Sequence, residues 1–236
     1  MPVPSSVLVV AAHPDDEILG CGGTMARLIH DGRDVRIAIL AEGMSSRYAR
    51  REDTDQHQLQ LLHAQAQQAA DSVGAKELVL CKFPDNRLDT VPLLEVVKTV
   101  ENLVSRFRPE VIYTHHPSDL NIDHGVVHRA VLTATRPTKG QLVREIYAFE
   151  VPSSTEWSFQ QFEPSFRPNV FVDVSETLEI KIAALRCYDT ETREFPHPRS
   201  AEALRAIAAR WGSVAGLSAV EAFELVRSVR PPGEHV

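Results

Sequence analysis

Along the first 150 residues, short apolar runs alternate with longer stretches in which apolar side chains recur every three or four positions. Val7–Ala12, Val35–Ala41, Leu78–Cys81, Val111–Thr114 and Glu145–Val151 read as strands. The first run holds no polar residue, as expected of a strand covered on both faces. Residues 17–31, 52–73, 92–107 and 123–135 read as helices. The second carries an apolar stripe through Leu59, Leu62, Ala66, Ala69 and Ala70. The third opens on Pro92 and repeats Leu94, Val97, Val100, Leu103 and Val104. Gly32 and Gly74 stand where the first two helices should stop. This β-α-β-α order predicts a mainly parallel sheet with helices on both faces and right-handed crossovers.

After Val151 the pattern changes. Residues 152–169 are polar and aromatic without a period. Val170–Val174 reads as a strand. Ser175 is placed to cap a helix running to about Tyr188. Residues 190–200 form a polar loop carrying His197, and 201–211 and 218–229 read as helical. The expected organisation is one domain over 1–236. Its core is 1–150, and a C-terminal extension, 151–236, closes one side of the site.

Two junctions carry the candidate chemistry. His13-Pro14-Asp15-Asp16-Glu17 follows the first strand with no polar spacer. Ionisable groups so close to a sheet interior are costly unless paired or bound to a metal. A His and an Asp within four residues suit Zn²⁺, and a neighbouring Asp left off the ion suits a general base. The second junction, residues 115–128, holds His115, His116, His124 and His128 after another buried strand. In a parallel sheet both loops lie on the same edge, where ligands bind. A catalytic zinc site wants three protein ligands and an open position. His13, Asp16 and any one of these four histidines satisfy that count.

Ala12-His13-Pro14-Asp15-Asp16-Glu17 followed by Gly20, Gly22, Gly23 and Thr24 resembles the signature of the PIG-L/LmbE-like zinc deacetylases. Further segments resemble that family in order: 41–47, Phe83–Asp89, Asp123-His124, and Ala219–Phe223 as its C-terminal helix. The resemblance spans nearly the whole chain. It implies a Rossmann-like α/β/α fold and hydrolysis of an N-acetyl group, usually on an amino sugar. It also implies His13, Asp16 and His124 as metal ligands, with Asp15 as the base. Many members have a second His three residues before the metal His, where this chain has Asn121. Asn121 and His197 are therefore the candidate donors to the developing oxyanion. Arg47, Asp85, Asn86 and His128 are candidate substrate contacts. A zinc amidase on a non-sugar N-acyl compound is the alternative. A non-catalytic ligand-binding domain is a weaker one, because Gly20-Cys21-Gly22-Gly23, which faintly resembles a dinucleotide loop, begins eight residues past the strand and not at its tip.

Composition narrows the partners. With 25 Lys and Arg against 32 Asp and Glu, the chain carries a formal charge of −7, which argues against nucleic acid. No apolar run approaches the ~18 residues of a membrane span. The first six residues lack the basic and apolar regions of a signal peptide. Three widely spaced cysteines, Cys21, Cys81 and Cys187, fit a reduced cytoplasm. The expected partner is a small N-acetylated sugar. Homo-oligomers are common among similar proteins, and the copy number is not legible in the sequence.

Overall fold

A computed structural model of the chain describes residues 6–230. The alternating first half folds as β1 (Ser6–Ala11), α1 (Asp16–His30), β2 (Asp34–Ala41), α2 (Gln56–Val73), β3 (Glu77–Phe83), α3 (Leu93–Phe107), β4 (Val111–His115), α4 (Ile122–Ala134) and β5 (Glu145–Phe149). The rest adds β6 (Val170–Asp173), α5 (Leu178–Leu185), α6 (Ala201–Ala215) and β7 (Val220–Ser228). All seven strands join one sheet in the order β3-β2-β1-β4-β5-β7-β6. The first five are mutually parallel, and β7 pairs antiparallel with both β5 and β6.

Alternation along β1 divides the core in two. Val7, Val9 and Ala11 face α1, α2 and α5, together with Ile18, Leu62 and Ile182. Leu8, Val10 and Ala12 face α3 and α4, together with Val100 and Val127. The result is the three-layer α/β/α sandwich expected. Burial of each such side chain stabilises the fold by roughly 1.5–3 kcal/mol, so the strand ends are fixed points from which the loops project.

Local chemistry sets several boundaries. Asp55 accepts hydrogen bonds from the N–H groups of His57 and Gln58, so α2 begins at Gln56, not at residue 52. Residues 51–53 form a separate 3₁₀ turn. Gly74 closes α2 at φ 85°, a left-handed position suited to glycine. α5 is shorter than expected, because Ser175 Oγ bonds Asp173 Oδ1 at 2.6 Å and caps nothing. The largest correction is at 218–229. Ala, Glu and Leu there favour a helix, yet β7 is a strand slotted between β5 and β6. Pairing on both edges, with Val220–Phe223 buried, overrides propensity.

β7 also repairs a break in α1. Cys21 leaves helical geometry at φ −147°. Lys181 Nζ donates to the stranded Leu19 carbonyl at 2.7 Å. Glu221 accepts from the N–H groups of Gly23 and Thr24 at 3.0 and 2.6 Å. The two charges meet at 2.6 Å. A Cβ on Gly20 would lie 2.3 Å from the Phe149 ring. The glycines therefore serve this close packing and do not form a nucleotide loop. No helix among the described residues is long and apolar enough to cross a membrane.

Candidate metal centre and reaction cavity

The chain order reverses at β1, which lies between β2 and β4. Such a switch point leaves a crevice at the C-terminal strand ends. The loop after β1 and the start of α4 both open into it. His13, Asp16 and His124 converge there, each offering one ligand atom within 4.8 Å of the others. His13 Nδ1 and His124 Nε2 each lie 3.2 Å from Asp16 Oδ2. Ligands about 2.1 Å from a tetrahedral ion sit roughly 3.4 Å apart. His124 Nε2 is buried, yet it has no aligned hydrogen-bond partner despite that proximity. A ring nitrogen held so is placed for a cation that displaces its proton, and the N₂O donor set fits a divalent metal.

Each imidazole has a carboxylate behind it. His13 Nε2 lies 3.0 Å from Asp123 Oδ2, whose Oδ1 accepts from the Leu88 N–H. His124 Nδ1 lies 3.1 Å from Asp119 Oδ2. Asp119 is itself held by Ser154, by Thr155 Oγ1 at 2.6 Å and by the Asn121 N–H at 2.9 Å. Such partners fix ring orientation and strengthen the ring as a ligand.

Asp15 departs from its neighbours. It sits at φ 103°, a strained conformation for a non-glycine residue that clusters at functional sites. The strain is held by Glu17, whose Oε2 accepts from the Asp15 N–H at 3.1 Å and whose Oε1 accepts from Tyr188 at 2.6 Å. Asp15 is buried but does not join the metal trio. Its Oδ2 receives Arg199 Nη1 at 2.5 Å.

Burial and charge act against each other here. Burial would lower the pKa of both histidines of the trio. At His124 the Asp16 and Asp119 carboxylates outweigh it and lift the pKa to about 9. At His13, Asp123 and Asp16 do the same. Burial would raise Asp16, but His124 and His115 hold it well below the usual carboxylate range. Asp15 goes the other way: burial pushes it up, and Arg199 only partly opposes this. Burial lifts Glu17 to about 7. The pattern separates an ionised carboxylate, Asp16, from an adjacent carboxylate of higher basicity, Asp15.

A cavity of about 560 Å³ lies over this floor. Arg47, Asp85, Asn86 and Asn121 line it. Asp85 Oδ2 accepts from the backbone and hydroxyl of Ser46 at 3.1 and 2.5 Å, and its Oδ1 lies 3.5 Å from His13 Nε2. Asn121 caps α4, accepting from the Asp123 N–H, and donates to Asn86 Oδ1 at 2.7 Å. Its amide is thus engaged in shaping the wall.

Two expected residues fall outside the lining. His128 lies four residues beyond His124, an advance of about 6 Å along the helix. There its Nδ1 meets the His115 carbonyl at 2.8 Å and burial lowers its pKa. His197 accepts from the Arg199 N–H at 3.1 Å and packs edge-on to Trp157. His115 stacks on His124 with centroids 3.8 Å apart and accepts from the Ala12 N–H. It supports the floor, as His116 supports the neighbouring loop by accepting from Ser118 N–H.

Sequence reasoning missed Asp119, Asp123, Glu191 and Arg199 as parts of the site. Asp119 and Asp123 were signalled by their position in the histidine-rich loop. Arg199 was signalled only by lying two residues after His197. Glu191 Oε1 pairs with Arg47 at 2.5 Å and its Oε2 lies 3.5 Å from Arg199.

The PIG-L family, described as GlcNAc-PI de-N-acetylase, matches residues 8–135. A diacetylchitobiose deacetylase from Thermococcus kodakarensis is 26% identical over 232 residues, covering 94% of this chain and 84% of that protein. Conserved protein TT1542 from Thermus thermophilus superposes with a TM-score of 0.74 at 23% identity, covering 98% of this chain and 100% of the other. The 4-carboxy-2-hydroxymuconate hydratase GalB from Pseudomonas putida superposes at 0.72 and 20% identity, over 98% and 99%. At such identities the two structures speak to the fold alone. A hydratase shares it, so the reaction must be argued from the site.

Proposed function

The chain belongs to the PIG-L family of GlcNAc-PI de-N-acetylases, and from that premise we propose that it is a zinc-dependent deacetylase of an N-acetylated amino sugar or its conjugate. One observation carries this reading. His13, Asp16 and His124 converge at the floor of the cavity while Asp15, adjacent in sequence, stays off the trio and faces the same space. That is the arrangement amide hydrolysis needs: a Lewis-acid site with a base beside it.

His13, Asp16 and His124 would hold the ion, their rings oriented by Asp123 and Asp119. When bound, Zn²⁺ acidifies water and polarises the acetyl carbonyl. Asp15 takes a proton from the water that attacks the acetyl carbon. It returns that proton to the nitrogen as the C–N bond breaks, leaving acetate and a free amine. Arg47, Asp85 and Asn86 receive the sugar's hydroxyl groups. Asn121 shapes that wall through Asn86. His197 acts indirectly, fixing the turn from which Arg199 reaches Asp15. The described part of the C-terminal extension, residues 151–230, completes the domain and closes the site by supplying Ser153, Trp157, Glu191 and Arg199. The three free thiols suit action in a reduced cytoplasm.

Acetate release from a panel of N-acetylated sugars and N-acetylated non-sugar amines, with and without a chelator, tests the reading. Release from sugars that stops on chelation and returns with zinc is expected. Release only from non-sugar amines gives the amidase, and chelator-insensitive release removes the metal from the mechanism.

A further inference from the structure

The lip of the reaction cavity is Leu120-Asn121-Ile122. The same three residues line a second hollow of about 630 Å³, so the two spaces adjoin across one stretch of chain. The lip is apolar where a loop facing water is ordinarily polar. Leu120 and Ile122 are 50% and 54% exposed, and Phe162 and Leu93 in the second hollow are 49% and 36% exposed. Single exposed apolar residues are commonplace. Four around one hollow that adjoins a reaction cavity mark a ligand surface.

The lip is also held in place before any ligand arrives. Asn121 is fixed by its cap to α4 and by Asn86. Asp119, one residue before Leu120, is fixed by Ser154 and Thr155. A preorganised apolar edge loses little freedom on binding. The charged groups of the second hollow are Asp89, Asp119, Glu163 and Arg129. Three acids against one base do not recognise a phosphate or a carboxylate.

We propose that the second hollow seats a neutral alkyl or aryl group joined to the amino sugar. The substrate is then an apolar glycoside of the N-acetylated sugar, not the free sugar or a sugar phosphate. This rests on the deacetylase reading above: the sugar lies over His13, Asp16 and His124, and its substituent crosses Leu120 and Ile122.

The test compares acetate release from the methyl, hexyl and phenyl glycosides of N-acetylglucosamine and from its 1-phosphate, using zinc-loaded protein. Covering one large apolar side chain predicts kcat/KM roughly 10- to 100-fold higher for hexyl or phenyl than for methyl. That ratio should fall toward one in Phe162→Ser and Leu93→Ser, which line the second hollow alone. Equal values across the glycosides, preference for the 1-phosphate, or a ratio unchanged in both variants overturns the proposal. So does conversion of an oligomer to a monomer by Phe162→Ser in sedimentation, which would make this face a contact between copies. Calorimetry with hexyl and methyl glucoside, which carry no acetyl group, reads the hollow apart from the chemistry. Hexyl-dependent binding lost in Phe162→Ser, with no turnover of any sugar, rejects the reaction and keeps the hollow. Turnover without dependence on the substituent rejects the hollow and keeps the reaction.

Discussion

Arg199 Nη1 lies 2.5 Å from Asp15 Oδ2, joining the C-terminal segment to the carboxylate beside the metal trio. Arg199 Nε also donates to Ser153 Oγ at 2.8 Å. The guanidinium is thereby held by two groups and directs one oxygen of Asp15. Asp15→Asn should keep metal stoichiometry and lose turnover by about 10²–10⁴-fold, the usual worth of an acid–base group. Arg199→Ala should lower kcat more than it raises KM, because it frees the base without removing a ligand. Arg199→Lys, which keeps the charge but not the fork, should recover part of that loss. Kinetics on metal-quantified proteins checks all three. Near-normal kcat in Arg199→Ala would remove the arginine from the positioning of Asp15.

Asp123 tests whether orientation of His13 matters. Its Oδ2 lies against His13 Nε2 and its Oδ1 receives the Leu88 N–H. Asp123→Asn preserves volume and the Leu88 bond but removes the charge. Metal affinity should fall about 10–100-fold, as for other such partners of ligand histidines. Competition against a chromophoric chelator measures it. An unchanged affinity would show that packing alone holds the ring.

Metal binding should also be visible in stability. An ion that binds only the folded chain, at 100 times its Kd, stabilises by about 2.7 kcal/mol. For a chain of this size that raises Tm by roughly 5–10 °C. Asp16→Asn should abolish the rise. Calorimetric scans with chelator and with added zinc make the comparison, and an equal rise in Asp16→Asn would relocate the ion.

Glu191 ties Arg47 to Arg199. Burial would raise its pKa, but Arg47 outweighs burial and holds it below the ordinary value. A depressed carboxylate contributes stability that is present above its unfolded pKa, about 4.3, and lost as pH falls through the folded value. Glu191→Gln should therefore be less stable than the parent near neutral pH, with the gap closing below about pH 4. Thermal melts between pH 3 and 7 provide the check. A gap that does not narrow with acid would assign Glu191 a packing role.

The parallel core was legible because the buried strands are short, mostly apolar runs and α2 and α3 carry apolar stripes. His13 and Asp16 were legible because ionisable groups stand against β1 without a spacer. His124 was not separable by spacing from His115, His116 and His128, since the end of β4, the loop after it and α4 carry all four within 14 residues. Only the fold shows His115 accepting from Ala12 N–H and His128 bonded to a carbonyl. β7 was misread because a strand inserted between two others depends on partners 47 to 83 residues away along the chain. Arg199 was overlooked for a related reason. Its meaning comes from Asp15, 184 positions earlier.

The break in α1 gives the last prediction. Lys181 and Glu221 are buried, 2.6 Å apart, and each also satisfies the broken helix: Lys181 at the Leu19 carbonyl, Glu221 at the Gly23 and Thr24 N–H groups. Removing one partner strands the other charge in the interior, which typically costs 3–5 kcal/mol. Lys181→Met should therefore lower Tm by roughly 6–20 °C. Glu221→Gln should cost less than Lys181→Met, because its amide oxygen still accepts from one N–H and Lys181 keeps the Leu19 carbonyl. The double variant Lys181→Met/Glu221→Gln should be more stable than Lys181→Met alone, since no buried charge remains. The half of α1 ahead of the break carries Asp16 and Glu17, so metal affinity should fall in Lys181→Met and recover in part in the double variant. Denaturant titration and metal competition on the three variants close a double-mutant cycle. Strict additivity in that cycle would show that the two charges act on the helix ends independently and not as a pair.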